Sequence, residues 1–213
     1  MAGNDDAYET ELCEMMHRHG SDKGGRPGRS WHNYTVKYHE LFAGMRQKRI
    51  DLFELGLGTN HTDTPSNMGV NGKPGASLRG FREYFPEATI VGADIDARVL
   101  FQEDRISTFR CDQTDKESIE RMWTVVPQSF DIMIEDGLHE YAANVTFFVN
   151  SIHKLKPNGV YVIEDIMTAE LERWKKTIEE WTHDPRFVGL TFEIVSLPNP
   201  ANNCDNNLVI ARK

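Results

Sequence analysis

Apolar positions along the chain follow two alternating rhythms. Short runs rich in β-branched residues, Ile50 to Leu55, Thr89 to Ala93, Ile106 to Cys111, Phe130 to Glu135 and Gly159 to Ile163, have the length and composition of buried parallel strands. Between them apolar residues return at helical spacing: Leu78, Phe81 and Phe85, then Ile119, Met122 and Trp123, then Val145, Phe148, Val149, Ile152 and Leu155. Pro86 ends the first of these helices, Thr114-Asp115-Lys116-Glu117 opens the second with capping-box spacing, and Pro157-Asn158-Gly159 stops the third. A helix from Tyr8 to His19 precedes the first strand, and another runs from Ala169 to His183. Leu190 to Leu197 and Asn207 to Arg212 read as an antiparallel hairpin across the turn-rich PNPANNCDN. The pattern predicts an α/β domain: a mostly parallel seven-stranded sheet with helices on both faces and an antiparallel C-terminal hairpin.

Three stretches lack either rhythm. Ser21 to Gly28 has the composition of a mobile surface loop, and HNYTVKYHELF crowds aromatic and imidazole groups that suit either a ligand wall or domain packing. Residues 60–76, dense in Gly, Pro, Asn and Thr, read as a lid-like insertion, and residues 1–48 as a helical and loop cap on a single domain spanning 1–213. A length of 213 residues with 39% hydrophobic content supports one sizeable core. A net charge of −9 lacks the basic footprint of a nucleic-acid binder, so a small-molecule partner is expected. No stretch reads as a secretory signal or a membrane span, and three scattered cysteines form no CxxC pair, so a reducing cytoplasm is the expected location. The aromatics of HNYTVKYHELF leave a homo-oligomer open.

The chemistry gathers at strand ends. Asp136 follows the fourth strand and Glu164-Asp165 the fifth, and a right-handed crossover sets such tips side by side at the carboxyl edge of the sheet, where open α/β folds bind ligands. Carboxylates brought together there favour a hard cation such as Mg²⁺ or Ca²⁺, with His139 as a further ligand or a general base. The plainer alternative is that these acids only cap helices. Glu54-Leu55-Gly56-Leu57-Gly58 after the first strand allows a tight turn and close approach of a ligand, without the third glycine of a dinucleotide fingerprint. Asp94, ending the second strand, could accept from ribose hydroxyls or simply form a turn.

HGSDKG with HNYTVKYHELF, FELGLG, GASLRGFREYFPEATIVGADID, EDGLHEY and LKPNGVYVIEDI, in that order, cover most of the chain from His19 to Ile166. This ordered set resembles the Mg²⁺-dependent, S-adenosylmethionine-dependent O-methyltransferases that act on sugars of macrolide antibiotics, the macrocin and mycinamicin type, with the Rossmann-like class I methyltransferase fold. The resemblance implies an O-methyltransferase acting on a hydroxyl of a small, sugar-like substrate. It implies that Gly56 and Gly58 pass under the methionine part of S-adenosylmethionine with Glu54 beneath. Asp94 would hold the ribose, Asp112 and Gln113 would lie near the adenine, and Asp22 and Lys23 would belong to the cofactor site. It further implies that Asp136, Glu164 and Asp165 hold the metal and that His139 is the catalytic base beside Asp136. An iron-dependent oxidoreductase using the same acids, or a non-catalytic cofactor-binding protein on the same fold, are the alternatives.

Overall fold

The computed structural model describes residues 7–213. Its elements are α1 (Glu11–His19), α2 (Tyr34–Phe42), β1 (Asp51–Leu55), α3 (Ala76–Tyr84), β2 (Thr89–Asp94), β3 (Gln102–Glu103), β4 (Ile106–Arg110), α4 (Lys116–Val125), β5 (Phe130–Glu135), α5 (Tyr141–Ser151), β6 (Leu155–Ile163), α6 (Leu171–Thr182), β7 (Thr191–Ser196) and β8 (Asn207–Arg212). They form one sheet in the order β3-β4-β2-β1-β5-β6-β8-β7. β4, β2, β1, β5 and β6 run parallel, and β8 and β7 close the far edge antiparallel. The strand order reverses between β1 and β5, so the tips of these two strands open a crevice at the carboxyl edge.

Four features differ from the sequence expectation, the first being that Tyr34–Phe42 of HNYTVKYHELF, which shows neither rhythm, forms the helix α2. The sheet has eight strands rather than seven, because Gln102–Glu103 turns back at Arg105 (φ 59°) and pairs antiparallel with β4. Pro157-Asn158-Gly159 does not stop α5. The helix ends at Ser151, and these residues lie inside β6, where Asn158 adopts φ 64° and the register against β5 slips. An apolar run interrupted by Pro and Gly reads as a helix terminus, but here the backbone bonds of Asn158 and Gly159 go to Lys213 at the chain end. The N-cap of α4 is Asp115, which accepts from the Glu117 amide, whereas Thr114 bonds to Asp112 instead.

Alternation along each strand divides the core. Phe53, Leu55, Met133, Tyr161 and Ile163 face α4, α5 and α6, where Trp123, Phe147, Phe148, Trp174 and Trp181 are buried. Leu52, Ile90, Ile132, Ile134 and Val162 face the other layer, packed under Leu12 and Met16 of α1, Tyr34, Tyr38 and Phe42 of α2, and Leu78 and Phe81 of α3. By the same alternation Glu54 lies on the α1–α3 side and Glu135 on the α4–α6 side. Among the described residues no helix is long and apolar enough to cross a membrane.

All three cysteines are free, with Cys13 and Cys111 buried and Cys204 exposed. Burial and the Asp112 charge push the Cys111 thiol up to about 12. Brief iodoacetamide treatment of the native protein should therefore alkylate Cys204 and spare Cys13 and Cys111, a pattern read directly by mass spectrometry.

Candidate active site

The site begins with a packing problem. Glu54, on the side of β1 covered by α1–α3, has no exposed surface, and Glu164, continuing β6, is 1% exposed. Ionised acids buried this deeply need a partner. Lys23, itself 2% exposed, supplies it: its Nζ lies 3.1 Å from Glu54 Oε1, donates to Glu164 Oε2 at 2.6 Å, and donates to Asp136 Oδ2. The Gly-rich segment read as mobile is therefore buried at Ser21, Lys23, Gly24 and Gly25, because it carries this ammonium into the acid cluster. Burial works against the Lys23 cation, yet the Asp136, Glu164 and Glu54 charges outweigh it and raise its pKa. Burial pushes Glu54 up to about 7 and raises Glu164 despite Lys23.

The two tyrosines of α2 complete this layer. Their rings are fully buried, as packing requires, while their hydroxyls reach the acid pair: Tyr38 donates to Glu164 Oε1, and Tyr34 donates to Asp165 Oδ1 at 2.6 Å. The tyrosines of HNYTVKYHELF thus pack the domain and at the same time hydrogen-bond the acids. Removing the Tyr38 hydroxyl leaves a buried carboxylate oxygen short of a donor at constant ring volume. Tyr38→Phe should cost about 1–3 kcal/mol in urea unfolding.

Beyond these acids lies a cavity of about 590 Å³, within the range of small-ligand sites. Of the residues expected at the cofactor, Gly56, Gly58, Asp94, Asp112, Gln113 and Asp22 line it. Glu54 and Lys23 lie behind its wall. Gly56 adopts φ 92°, and a Cβ there would stand 1.7 Å from the Asp136 carbonyl oxygen, so the β1 turn and the β5 tip are in direct backbone contact. Asp94 accepts from the Leu57 amide through Oδ2 and from the Asp96 amide through Oδ1, each at 2.8 Å, which leaves each oxygen a second lone pair. Asp112 accepts from the Thr114 amide and hydroxyl. Gln113 braces the loop after β5, donating to Glu135 Oε1 at 2.7 Å and accepting from the Leu138 amide at 2.8 Å.

At the other end of the cavity stand Asp136, His139 and Asp165. His139 Nε2 lies 3.0 Å from Asp136 Oδ1 and 3.1 Å from Asp165 Oδ2, and one ligand atom of each residue lies within 4.8 Å of the others. Glu164 is not part of this trio, since its oxygens are held by Lys23 and Tyr38 on the far side of Asp136. His139 and Asp165 both sit at positive φ, 61° and 54°, strain of roughly 1–3 kcal/mol each that persists where a site over-determines the backbone. Burial disfavours the imidazolium, but the hydrogen bond to Asp136 and the charges of Asp165 and Asp136 outweigh it and raise His139 to about 9. Burial would raise Asp136, and Lys23 with His139 reverses this and holds it below the usual carboxylate range. Burial and the Asp136 charge push Asp165 up to about 6.

Several cavity residues carried no clear signal in the sequence. Trp31 is 52% exposed and Ile95 45%, and both line the cavity, as do Asp205 from the β7–β8 loop and Thr64 to Met68 of the insertion. The composition of residues 60–76 was the readable hint for Thr64 to Met68, whereas Trp31, Ile95 and Asp205 carried none.

No protein-family model matches the chain. It is 34% identical over 158 residues to the 8-demethyl-8-alpha-L-rhamnosyl tetracenomycin-C 2'-O-methyltransferase of Streptomyces olivaceus, covering 74% of this chain and 38% of that protein. It is 32% identical over 160 residues to the mycinamicin VI 2''-O-methyltransferase of Micromonospora griseorubida, covering 75% of this chain and 37% of that protein. Among solved structures, the MycE methyltransferase from the mycinamycin biosynthetic pathway, in complex with Mg and SAH, matches with a TM-score of 0.71 at 26% identity, covering 96% of this chain and 55% of that chain. The fold is thus that of the Rossmann-like methyltransferases. Within them, the chain is a homologue of the sugar O-methyltransferases of the tetracenomycin, mycinamicin and macrocin type, and it spans less than two-fifths of the length of the curated relatives it matches.

Proposed function

We propose that the chain is an S-adenosylmethionine-dependent, divalent-metal-dependent O-methyltransferase acting on a hydroxyl of a sugar or sugar-like small molecule. The observation that carries this reading is the single cavity that joins the Gly56–Gly58 turn, Asp94, Asp112 and Gln113 to Asp136, His139 and Asp165. The relatives named above are sugar O-methyltransferases, and the MycE complex holds Mg and SAH.

The residues suit both groups. Gly56 and Gly58 line the cavity at the β1 turn, and Asp94 keeps free lone pairs for ribose hydroxyls. Asp136 and Asp165 present carboxylate oxygens to the cavity, the donor type a hard cation prefers, and Glu164 backs Asp136 through Lys23. A divalent cation held by Asp136 and Asp165 would make a neighbouring hydroxyl more acidic. With the charges of Asp136 and Asp165 taken up by that cation, His139 would fall from about 9 to its neutral form, and its Nε2 would then accept the hydroxyl proton. Residues 60–76 act as a lid: Ser66 Oγ lies 3.3 Å from His139 Nδ1, and Met68 packs over Gly58, so closing this segment excludes water and orients the reactants. Of the cap expected over residues 1–48, residues 7–48 deliver Lys23 and Tyr34 to the acids, and residues 1–6 lie outside the described residues.

Purified protein incubated with methyl-labelled S-adenosylmethionine, Mg²⁺ and a panel of rhamnosides and deoxysugar glycosides should yield labelled ether. In Asp136→Asn, turnover should fall about 100-fold or more while the melting shift given by S-adenosylhomocysteine persists. A fully active Asp136→Asn variant, or no melting shift with either adenosyl compound, would overturn the reading.

A further inference from the structure

Asp165 presents its two oxygens to different neighbours. Oδ2 faces His139, 3.1 Å away, on the Asp136 side. Oδ1 faces the opposite side, 3.2 Å from His32 Nδ1, where one ligand atom each from His32, Asp165 and Asp205 lies within 4.8 Å of the others. His32 is 4% exposed, and its Nδ1 makes no hydrogen bond among the described residues, since the short approach to Asp165 lacks the geometry of one. A buried ring nitrogen without a hydrogen-bond partner is costly, and a cation seated between His32 Nδ1 and the Asp165 and Asp205 oxygens would supply that partner beside the Tyr34 hydroxyl already donating to Asp165 Oδ1. The proposed methyl transfer uses neither His32 nor Asp205.

The surrounding loops hold these groups in place. The His32 ring packs on Tyr34 at 4.7 Å between centroids. Asn199 Nδ2 donates to the carbonyls of Ser30 and Trp31 at 3.1 and 2.8 Å, and Asn206 Nδ2 donates to Asn33 Oδ1 at 2.7 Å. Asn33 Nδ2 donates to the Pro198 carbonyl at 3.0 Å, and Asn202 Nδ2 donates to Asp205 Oδ1 at 2.6 Å. The asparagines of PNPANNCDN thus fasten the loop carrying Asp205 to the segment carrying His32. His32, Asp165 and Asp205 all line the cavity, so the cluster is open to a ligand from it.

We propose that His32, Asp165 and Asp205 form a second divalent-cation site, with Asp165 shared between it and the Asp136 side. One imidazole and two carboxylates suit a first-row cation such as Mn²⁺, Fe²⁺ or Zn²⁺ better than Mg²⁺. A cation at this site takes no part in methyl transfer, and its binding is measured without turnover.

The test is Mn²⁺ binding to the chelator-stripped full chain, with free Mn²⁺ followed by electron paramagnetic resonance. The wild type should bind two Mn²⁺ per chain, and His32→Ala and Asp205→Asn one each. Asp136→Asn should also bind one, retained at the His32 side, and Asp165→Asn should weaken both. Circular dichroism and the S-adenosylhomocysteine melting shift, run on the same samples, show whether each variant is folded and report on the cofactor reading separately. A wild-type stoichiometry of one or none, or two Mn²⁺ retained by folded His32→Ala and Asp205→Asn, would overturn the second site.

Discussion

Lys23→Met is expected to lower unfolding stability by about 3–5 kcal/mol, the range seen when one partner of a buried ion pair is removed. Methionine keeps most of the side-chain volume, so the loss reports charge rather than a cavity. Three carboxyl groups, Glu54, Asp136 and Glu164, share the Lys23 ammonium. Without it they repel one another where water cannot screen them. For a chain of this size each kcal/mol moves the melting temperature by roughly 2–4 °C, so a drop of about 6–20 °C should appear in a thermal scan. The deficit should also depend on pH. Burial holds Glu54 at about 7 even with Lys23 present, and losing the cation raises it further above its unfolded value. The stability tied to a raised carboxyl is present below its unfolded pKa and lost as pH rises through the folded one, so Lys23→Met should be weaker at about pH 8 than at about pH 6. Adding Glu164→Gln should restore part of the loss, and the double-mutant cycle measures the coupling. A Lys23→Met protein within about 1 kcal/mol of wild type at both pH values would contradict this account of the cluster.

Much of the fold was legible because it rests on local rules. The five parallel strands and the closing hairpin are runs whose length, β-branched content and punctuation point the same way, and the strand-end position of Asp94, Asp136 and Asp165 followed from them. What failed were places where tertiary bonding overrode a local signal. Pro157-Asn158-Gly159 stays in a strand because Lys213 supplies its bonds, and Gln102–Glu103 becomes a strand because β4 lies beside it.

The site was legible as a set of acids and one histidine, but not as a division of labour. Glu164 and Asp165 are adjacent in sequence and each accepts from a tyrosine of α2, but only Asp165, past the strand end at φ 54°, turns to the cavity, while Glu164 turns to Lys23. The alternation that put Leu52 and Glu54 on one face of β1 held the clue, for it buries an acid under α1–α3 and so requires a cation from that layer. No local rule could say that Lys23, in a glycine-rich segment with the composition of a loose loop, would be that cation. His32 and Asp205 lie far apart in the chain and are brought together by the asparagine bonds between their loops and by the Tyr34 hydroxyl donating to the Asp205 carbonyl.

The second large effect is expected at Gly56, where three substitutions separate what the two glycines of the β1 turn do. In Gly56→Ala the new Cβ would stand 1.7 Å from the Asp136 carbonyl oxygen at φ 92°, so relief requires moving the tip of β1 away from the tip of β5. Strain of about 1–2 kcal/mol from the left-handed backbone adds to that displacement. A total loss of roughly 3 kcal/mol or more should result. In Gly58→Ala the obstacle is Met68 Sδ at 2.2 Å, the end of a flexible side chain that can swing aside, so the loss should be close to the backbone term alone. Gly44 has open space around its Cβ position and no positive φ, and Gly44→Ala should be neutral or stabilising by about 0.4–1 kcal/mol. Urea unfolding of the three variants tests the order. Because Asp136 moves with the β5 tip, Gly56→Ala should also lose the S-adenosylhomocysteine melting shift and the Mn²⁺ bound on the Asp136 side together, whereas Gly58→Ala should keep the Mn²⁺. If Gly56→Ala and Gly58→Ala cost the same, the close backbone contact between the two strand tips is not what holds the β1 turn and the Asp136 side of the cavity in register.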